Sequence, residues 1–398
     1  MKSTDEQLKE IRRGVVDIVT VEDLEKKLKK GKPLVIKLGI DPTSPDIHVG
    51  HTVPLIKMRQ FQDMGHKAVL IFGDYTAMIG DPSGRMNERP PLSAGDIKKN
   101  VKTYKDQALK ILDKKNLEIV YNGSWFSKMK FNDVIKMVSK FTLAQMMEHD
   151  YFDKRFKEGV PLSLHELVYP IMQGYDSVMI KADIELGGTD QRFNVIAGRY
   201  LQKESGAEPQ AGLFTPILTG LDGKNKMSKS LNNYIGVNDE PEDMLGKVMS
   251  ITDELITRYF ELLTDVPLNE VKKMEDEMKN GANPRDSKIL LAYNITAKFH
   301  GEEKAKAARE HFEKTFSEKD VQYDSHIYKW EFPGEEAGVA ELFKAVGGVS
   351  SNSEARRIVE QGGFYLNEKR INDFQLKIKK SDMPFTFKIG KKKFGKFE

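Results

Sequence analysis

The sequence predicts an α/β chain built on a parallel sheet covered on both faces, and three observations predict it. Short runs of branched apolar residues recur through the first half, each too short for a buried helix. Stretches of helical spacing separate them, as crossover helices separate the strands of a parallel sheet. The segments richest in chemistry-bearing side chains fall directly after these runs, where ligands bind in such sheets, beyond the carboxyl ends of the strands.

In chain order, residues 3–30 read as two helices, the second carrying Val21, Leu24 and Leu28 and ending at Gly31 before Pro33 opens the first strand. Strands are expected at 34–40, 68–73, 117–121, about 178–186 and 213–219. Between the third and fourth lies a long insertion, about 125–167, holding Phe141, Leu143, Met146, Met147, Tyr151 and Phe152. That is more apolar surface than a crossover helix needs, and it serves either as core or as an interface. Pro241-Glu242-Asp243 opens highly charged helical sequence running to about residue 325. Glu331-Phe332-Pro333-Gly334-Glu335-Glu336 reads as a linker. The domain plan is therefore a sheet domain over 1–235, a helical domain over 236–330, a linker at 331–336 and a small α+β domain over 337–398, where helix, turn, helix and strand follow one another.

Composition bounds the function. With 398 residues there is chain for two or three cores. Hydrophobic content of 39% and charged content of 31%, with no apolar run of spanning length, exclude a helical membrane protein. Zero cysteines exclude disulfides, thiolate metal sites and a cysteine nucleophile. The first residues form a charged helix with no apolar signal core, so a cytoplasmic location is expected. Lys+Arg 63 and Asp+Glu 60 nearly cancel, so distribution matters more than the net +3. Eight of the positive charges are Lys377, Lys379, Lys380, Lys388, Lys391, Lys392, Lys393 and Lys396, interleaved with Phe385, Phe387, Phe394 and Phe397. A basic terminus spaced by aromatics points to nucleic acid.

Two stretches carry the chemistry. Asp41-Pro42-Thr43-Ser44-Pro45-Asp46-Ile47-His48-Val49-Gly50-His51 joins the first strand to a helical segment marked by Leu55, Met58 and Phe61. Two imidazoles at a helix start, with Gly50 between them where a side chain would block access, form an anion site. Lys226-Met227-Ser228-Lys229-Ser230 follows the last apolar run and the turn-rich Asp222-Gly223-Lys224-Asn225, which places both lysines on a mobile arm. The pair HVGH and KMSKS, in this order and one Rossmann domain apart, resembles the signature motifs of class I aminoacyl-tRNA synthetases. The sheet domain is accordingly expected to be Rossmann-like.

A third stretch resembles the tyrosyl-tRNA synthetase family in particular. Tyr169, Gln173 and Asp176 fall at i, i+4 and i+7, one face of a helix. Asp81-Pro82-Ser83-Gly84 and Gly187-Gly188-Thr189-Asp190-Gln191 match that family too, and Ser353-Glu354-Ala355-Arg356-Arg357 with Gln361-Gly362-Gly363 resembles the S4 RNA-binding domain. The resemblance runs over nearly the whole chain. It implies that Asp176 binds the tyrosine hydroxyl; that Tyr169, Gln173 and Asp81 hold its α-amino group; and that Gln191 lies near the carboxylate. It further implies Asp41 and Asp190 on the adenosine side, with Asp190 on the ribose; Thr43 and His48 on the ATP phosphates; His51 and Gly50 on the nucleoside; and Arg85, Arg89, Lys226 and Lys229 on departing pyrophosphate.

The implied partners are L-tyrosine, ATP with Mg2+, and tRNA(Tyr), the last meeting Arg356 and Arg357. There is no tightly bound cofactor, no protein metal site and no membrane, and the 125–167 insertion makes a homodimer contact. Two departures stand out. Lys37 and then Leu38 stand where relatives place a Tyr as second partner of the phenol, and Arg85 replaces the usual lysine with a planar fork. The alternatives are a same-subclass synthetase for another aromatic amino acid and, from a different class, a nucleotidyltransferase using the same HxGH site.

Overall fold

Six strands form the principal sheet of the computed structural model: β1 (Asp17–Val19), β2 (Val35–Ile40), β3 (Lys67–Phe72), β4 (Leu117–Tyr121), β5 (Ile184–Gly188) and β6 (Ala211–Thr215). Their order is β1-β6-β5-β2-β3-β4. Strands β2 to β6 run parallel, and β1 adds an antiparallel edge to β6. The structure describes residues 2–82, 93–316, 326–330, 332–347, 349, 351–367, 369–390 and 393–397. Burial of both sheet faces explains the apolar runs: Ile36, Leu38, Leu70, Ile71, Phe72, Leu186, Leu213 and Phe214 are all buried.

The expected strand at 178–186 divides in two. Val178 and Met179 end the helix Leu164–Met179, Lys181 turns the chain with φ 52, and β5 begins only at Ile184. One apolar run thus serves a helix face and then a strand. At β6 the ladder ends at Thr215 because Pro216 has no amide to donate. β1 was not legible: three residues between two helices carry no period, and only pairing with Gly212 to Phe214 makes them a strand.

The helices that aim the site are Val49–Asp63, Leu164–Met179 and Arg192–Glu204. The last two touch through glycines: a Cβ on Gly174 would lie 2.8 Å from the Gly198 amide nitrogen, so any side chain there would push the helices apart. Buried Arg155, bonded to both oxygens of Glu166 at 2.6 and 3.0 Å, ties the insertion to the start of Leu164–Met179.

The insertion resolves its two readings residue by residue. Met146 and Phe152 are buried in a cluster with Phe126, Ile171 and Met172, so they are core. The exposed apolar residues are Leu143 and others the pattern did not single out, among them Phe131 (79% exposed), Ile135, Phe156 (71%) and Leu164 (81%).

The chain divides into two compact units, Met1–Arg309 and Glu310–Glu398. The charged helices after Pro241 belong mostly to the first unit, where Arg13 donates to the carbonyls of Phe260, Glu261, Thr264 and Val266 at the end of Ile256–Leu263. A separate helical domain over 236–330 is thus not what the contacts draw. The second unit contains β7 (Ile327–Tyr328), β8 (Glu336–Gly338), β9 (Phe364–Leu366), β10 (Lys369–Arg370), β11 (Lys377–Lys379), β12 (Phe385–Ile389) and β13 (Lys393–Phe397). They form a sheet in the order β10-β9-β12-β13-β7 and a pair β11-β8. The helices Val339–Ala345 and Asn352–Glu360 pack with them.

Two expectations change in this unit. The linker reading of 331–336 misses that Trp330 and Phe332, 4.3 Å apart, pack against the same core as Phe385 and Phe397. The aromatic spacing of the terminus is strand alternation: Phe385, Phe387 and Phe397 point into that core, and they are not platforms for bases. Lys393 donates to the carbonyls of Val346 and Gly347 just past the helix Val339–Ala345. Lys391 and Lys392 lie outside the described residues.

Candidate active site

A crevice of about 880 Å³ opens at the carboxyl ends of β2, β3, β5 and β6. Asp41, Thr43, His48, Gly50, His51, Asp81, Tyr169, Gln173, Asp176, Asp190, Gln191, Lys226 and Lys229 all line it. Arg85 and Arg89 lie outside the described residues, and Arg356 and Arg357 are exposed in the second unit.

At one end the two motifs are joined by backbone. His48 bridges Gly236 in antiparallel fashion, the Val49 amide donates to Ile235, and the Val237 amide donates to Ile47. The chain leaving the lysine loop is therefore laid against the chain entering the histidine helix. Lys229 Nζ donates to the Asp46 carbonyl at 2.7 Å, which carries the contact into the motif itself. Gly50 is required here by space: a Cβ would lie 2.9 Å from His48 Nδ1 and 3.5 Å from Met227.

The lysine loop is more tightly held than a mobile arm implies. Asn233 accepts the Ser228 amide at 2.8 Å and donates to the Lys226 carbonyl and to Asp222 Oδ2. One amide side chain thus spans the loop from both sides. Sequence reasoning missed it, since an Asn in a turn-rich stretch carries no signal of its own.

The imidazole centroids are 3.8 Å apart, with the ring planes tilted by 32°. His51 Nδ1 accepts the His48 amide at 3.3 Å, which places its proton on Nε2. His48 Nδ1 is buried with no partner among the described residues. Burial first, then the His51 ring and the Lys229 charge, pushes His48 down to about 3; burial and Lys229 push His51 down to about 4. Both rings are neutral at pH 7, so they can offer an N–H as neutral hydrogen-bond donors and do not act as cations. The Val49 and His51 amides are already bonded within the protein, so the helix start contributes less to anion binding than its position promised.

The other end is built on Leu164–Met179. Tyr169 donates to Asp41 Oδ2 at 2.9 Å, and Thr76 donates to Asp41 Oδ1 at 2.8 Å. Asp41 therefore holds the Tyr169 phenol, a pairing that the expectation of an ATP-side aspartate did not include. Burial, with Asp41 and Asp81 close by, holds that phenol well above its ordinary pKa. Gln191 donates to Asp81 at 2.5 Å, and Asn194 donates to both Gln191 and Gln173. Deepest lies Asp176, accepting from Trp125 Nε1 at 3.0 Å and Asn122 Nδ2 at 3.3 Å. Burial pushes its carboxyl up to about 7, against the opposing pull of Lys37, Asn122 and Trp125. Thr76, Asn122, Trp125 and Asn194 are the supporting residues that spacing did not reveal. Asp190, raised by burial and opposed by Lys226, lines the wall between the two ends.

A parallel sheet carrying an HxGH helix start bonded to a KMSKS loop, with an acid-lined pocket beside them, defines a class I synthetase that activates a carboxylate with a nucleotide. The model of the family "tRNA synthetases class I (W and Y)" matches residues 29–317, and the chain belongs to that family. The chain is 51% identical to a tyrosine–tRNA ligase of Carboxydothermus hydrogenoformans, over 98% of this chain and 96% of that one. It is 49% identical to a tyrosine–tRNA ligase of Thermotoga maritima, with the same coverage. Among solved structures, a C-terminally truncated mitochondrial tyrosyl-tRNA synthetase of Coccidioides posadasii aligns with a TM-score of 0.65, 24% identity, 78% of this chain and 92% of that one. At that identity it shows the fold alone.

Proposed function

We propose that this enzyme activates L-tyrosine with ATP and transfers the tyrosyl group to the 3′ end of tRNA(Tyr). The observation that carries the amino acid is Asp176, a buried carboxyl that lines the crevice and accepts from Trp125 and Asn122. A phenol hydroxyl adds a third donor to those of Trp125 and Asn122, whereas a phenyl ring adds none and removes water from a buried acceptor. Asp81, Tyr169 and Gln173 face the α-amino group, and Gln191, bonded to Asp81, lies near the α-carboxylate.

In the first step a tyrosine carboxylate oxygen forms a bond to the α-phosphorus of ATP. The bond to the bridging oxygen breaks, and pyrophosphate leaves with the electron pair. Neutral His48 and His51 donate to phosphate and nucleoside oxygens, with Thr43 beside them, and Asp190 accepts from the ribose. Lys226 and Lys229 stabilise charge that grows on the pyrophosphate, joined by Arg85 and Arg89. The nucleotide enters as its magnesium complex. In the second step a ribose hydroxyl of the tRNA attacks the acyl carbon and AMP departs. Arg356 and Arg357, exposed on the helix Asn352–Glu360, meet tRNA phosphates. The exposed Phe131, Leu143, Phe156 and Leu164 form a homodimer contact.

The test is ATP–pyrophosphate exchange run over the twenty amino acids. Exchange confined to tyrosine is the expected outcome. Exchange driven by tryptophan would replace the substrate, and exchange with no amino acid at all would favour a nucleotidyltransferase.

A further inference from the structure

Beneath the amino-acid end of the crevice, Lys37 on β2 and Glu185 on β5 are cross-strand partners, with both side chains fully buried and N to O 2.9 Å apart. Lys37 also donates to the Gln173 carbonyl and to Ser177 Oγ, each at 2.7 Å, so all three ammonium protons are used. Glu185 accepts from Gln173 Nε2 at 3.1 Å, Ser177 Oγ at 2.9 Å and Gln210 Nε2. Apart from the ion pair itself and the bond to Gln210, every one of these bonds ends on the turn of helix that contains Asp176. As a stabiliser alone a buried pair is a weak device, since desolvation offsets most of its attraction.

We propose that the Lys37–Glu185 pair is a positioning device for tyrosine recognition, locking the Gln173–Ser177 turn to the sheet and supplying the counter-charge for Asp176. The Lys37 ammonium therefore acts at the phenol site without touching the substrate. The inference rests on the assignment of Asp176 to the phenol.

The titratable groups around Asp176 are Lys37 from β2, Glu185 from β5, Tyr169 on its own helix, and Asp41 and Asp81 beyond β2 and β3. Lys37 favours the ionised carboxylate; Glu185 opposes it, and ranks below Lys37. Phenol binding needs that carboxylate ionised, so tyrosine affinity falls as pH drops through its midpoint.

The experiment measures tyrosine dissociation constants of the full chain by equilibrium dialysis between pH 5.5 and 8.5. Lys37→Met moves the acidic bend to higher pH by about one unit or more, and Glu185→Gln moves it to lower pH. Opposite signs are the signature, because a purely structural role weakens binding at every pH without moving the bend. Shifts of the same sign, or no shift, overturn the proposal. If Lys37→Met does not fold by circular dichroism, isosteric Glu185→Gln decides alone: a bend that fails to move down overturns the proposal. Asp176→Asn removes the bend; a bend surviving in that variant overturns the phenol assignment itself, leaving the two failures distinguishable.

Discussion

In the proposed reaction Asp176 and Lys229 act at different stages. On the proposed assignment Asp176 discriminates on binding: phenylalanine removes the substrate hydroxyl and leaves Trp125 and Asn122 as its donors, and the loss of one hydrogen bond to a buried charged group costs roughly 3 kcal/mol. Exchange supported by phenylalanine is expected to be about 10²-fold or more below that with tyrosine in kcat/KM, and comparable values for the two would reject the pocket assignment. On the proposed mechanism Lys229 meets charge that develops only as pyrophosphate departs. Its ammonium rests on the Asp46 carbonyl in this structure, a contact it can exchange for phosphate. Lys229→Ala should slow adenylate formation about 10²–10³-fold while leaving tyrosine affinity unchanged, read by stopped-flow single turnovers. A variant that weakens tyrosine binding instead would move the lysine to the wrong end of the crevice.

Among the elements, the loop Lys226–Ser230 and the helix Val49–Asp63 are set against each other by the short antiparallel contact of 47–49 with 235–237. Asn233 closes the loop on itself, and Tyr259 donates to the Thr219 carbonyl at 2.6 Å to anchor its stem. Asn233→Ala therefore removes three hydrogen bonds at once and leaves the Ser228 amide without its acceptor. We expect a loss of about 1–3 kcal/mol in denaturant unfolding, adenylate formation slowed by at least about tenfold, and unchanged tyrosine affinity. Faster tryptic cleavage at Lys226 and Lys229 would report the loosened loop directly. Unaltered cleavage and rate together would show that the clamp is redundant.

For the whole molecule, the lining of the crevice ends at Ser230, whereas the exposed arginines lie beyond residue 350. A chain ending at Phe316 should keep tyrosine-dependent exchange and lose most tRNA charging, and what charging remains should depend less steeply on salt. Loss of both activities together would make the second unit structural. The exposed Phe131 and Leu164 give a second whole-molecule prediction. Substituting both with Asp should convert a dimer to a monomer in analytical ultracentrifugation. A sedimentation coefficient that does not change would place any dimer contact elsewhere.

Much of this protein was legible because its signals are local. Runs such as Ile36 to Leu38 and Val69 to Phe72 announce strands through composition, and HVGH, KMSKS and Tyr169/Gln173/Asp176 announce chemistry through spacing along one strand-to-helix turn, one loop and one helix face. What only the tertiary structure decided depends on pairings distant in sequence. β1 exists because β6 lies beside it, Asp41 turns to Tyr169 from 128 residues away, and Lys37 meets Glu185 across two strands. Phe385, Phe387 and Phe397 read as part of a nucleic-acid surface until the sheet showed which face is core. Periodicity fixes which residues share a face of an element, but the partner of that face is set by close packing of the whole chain.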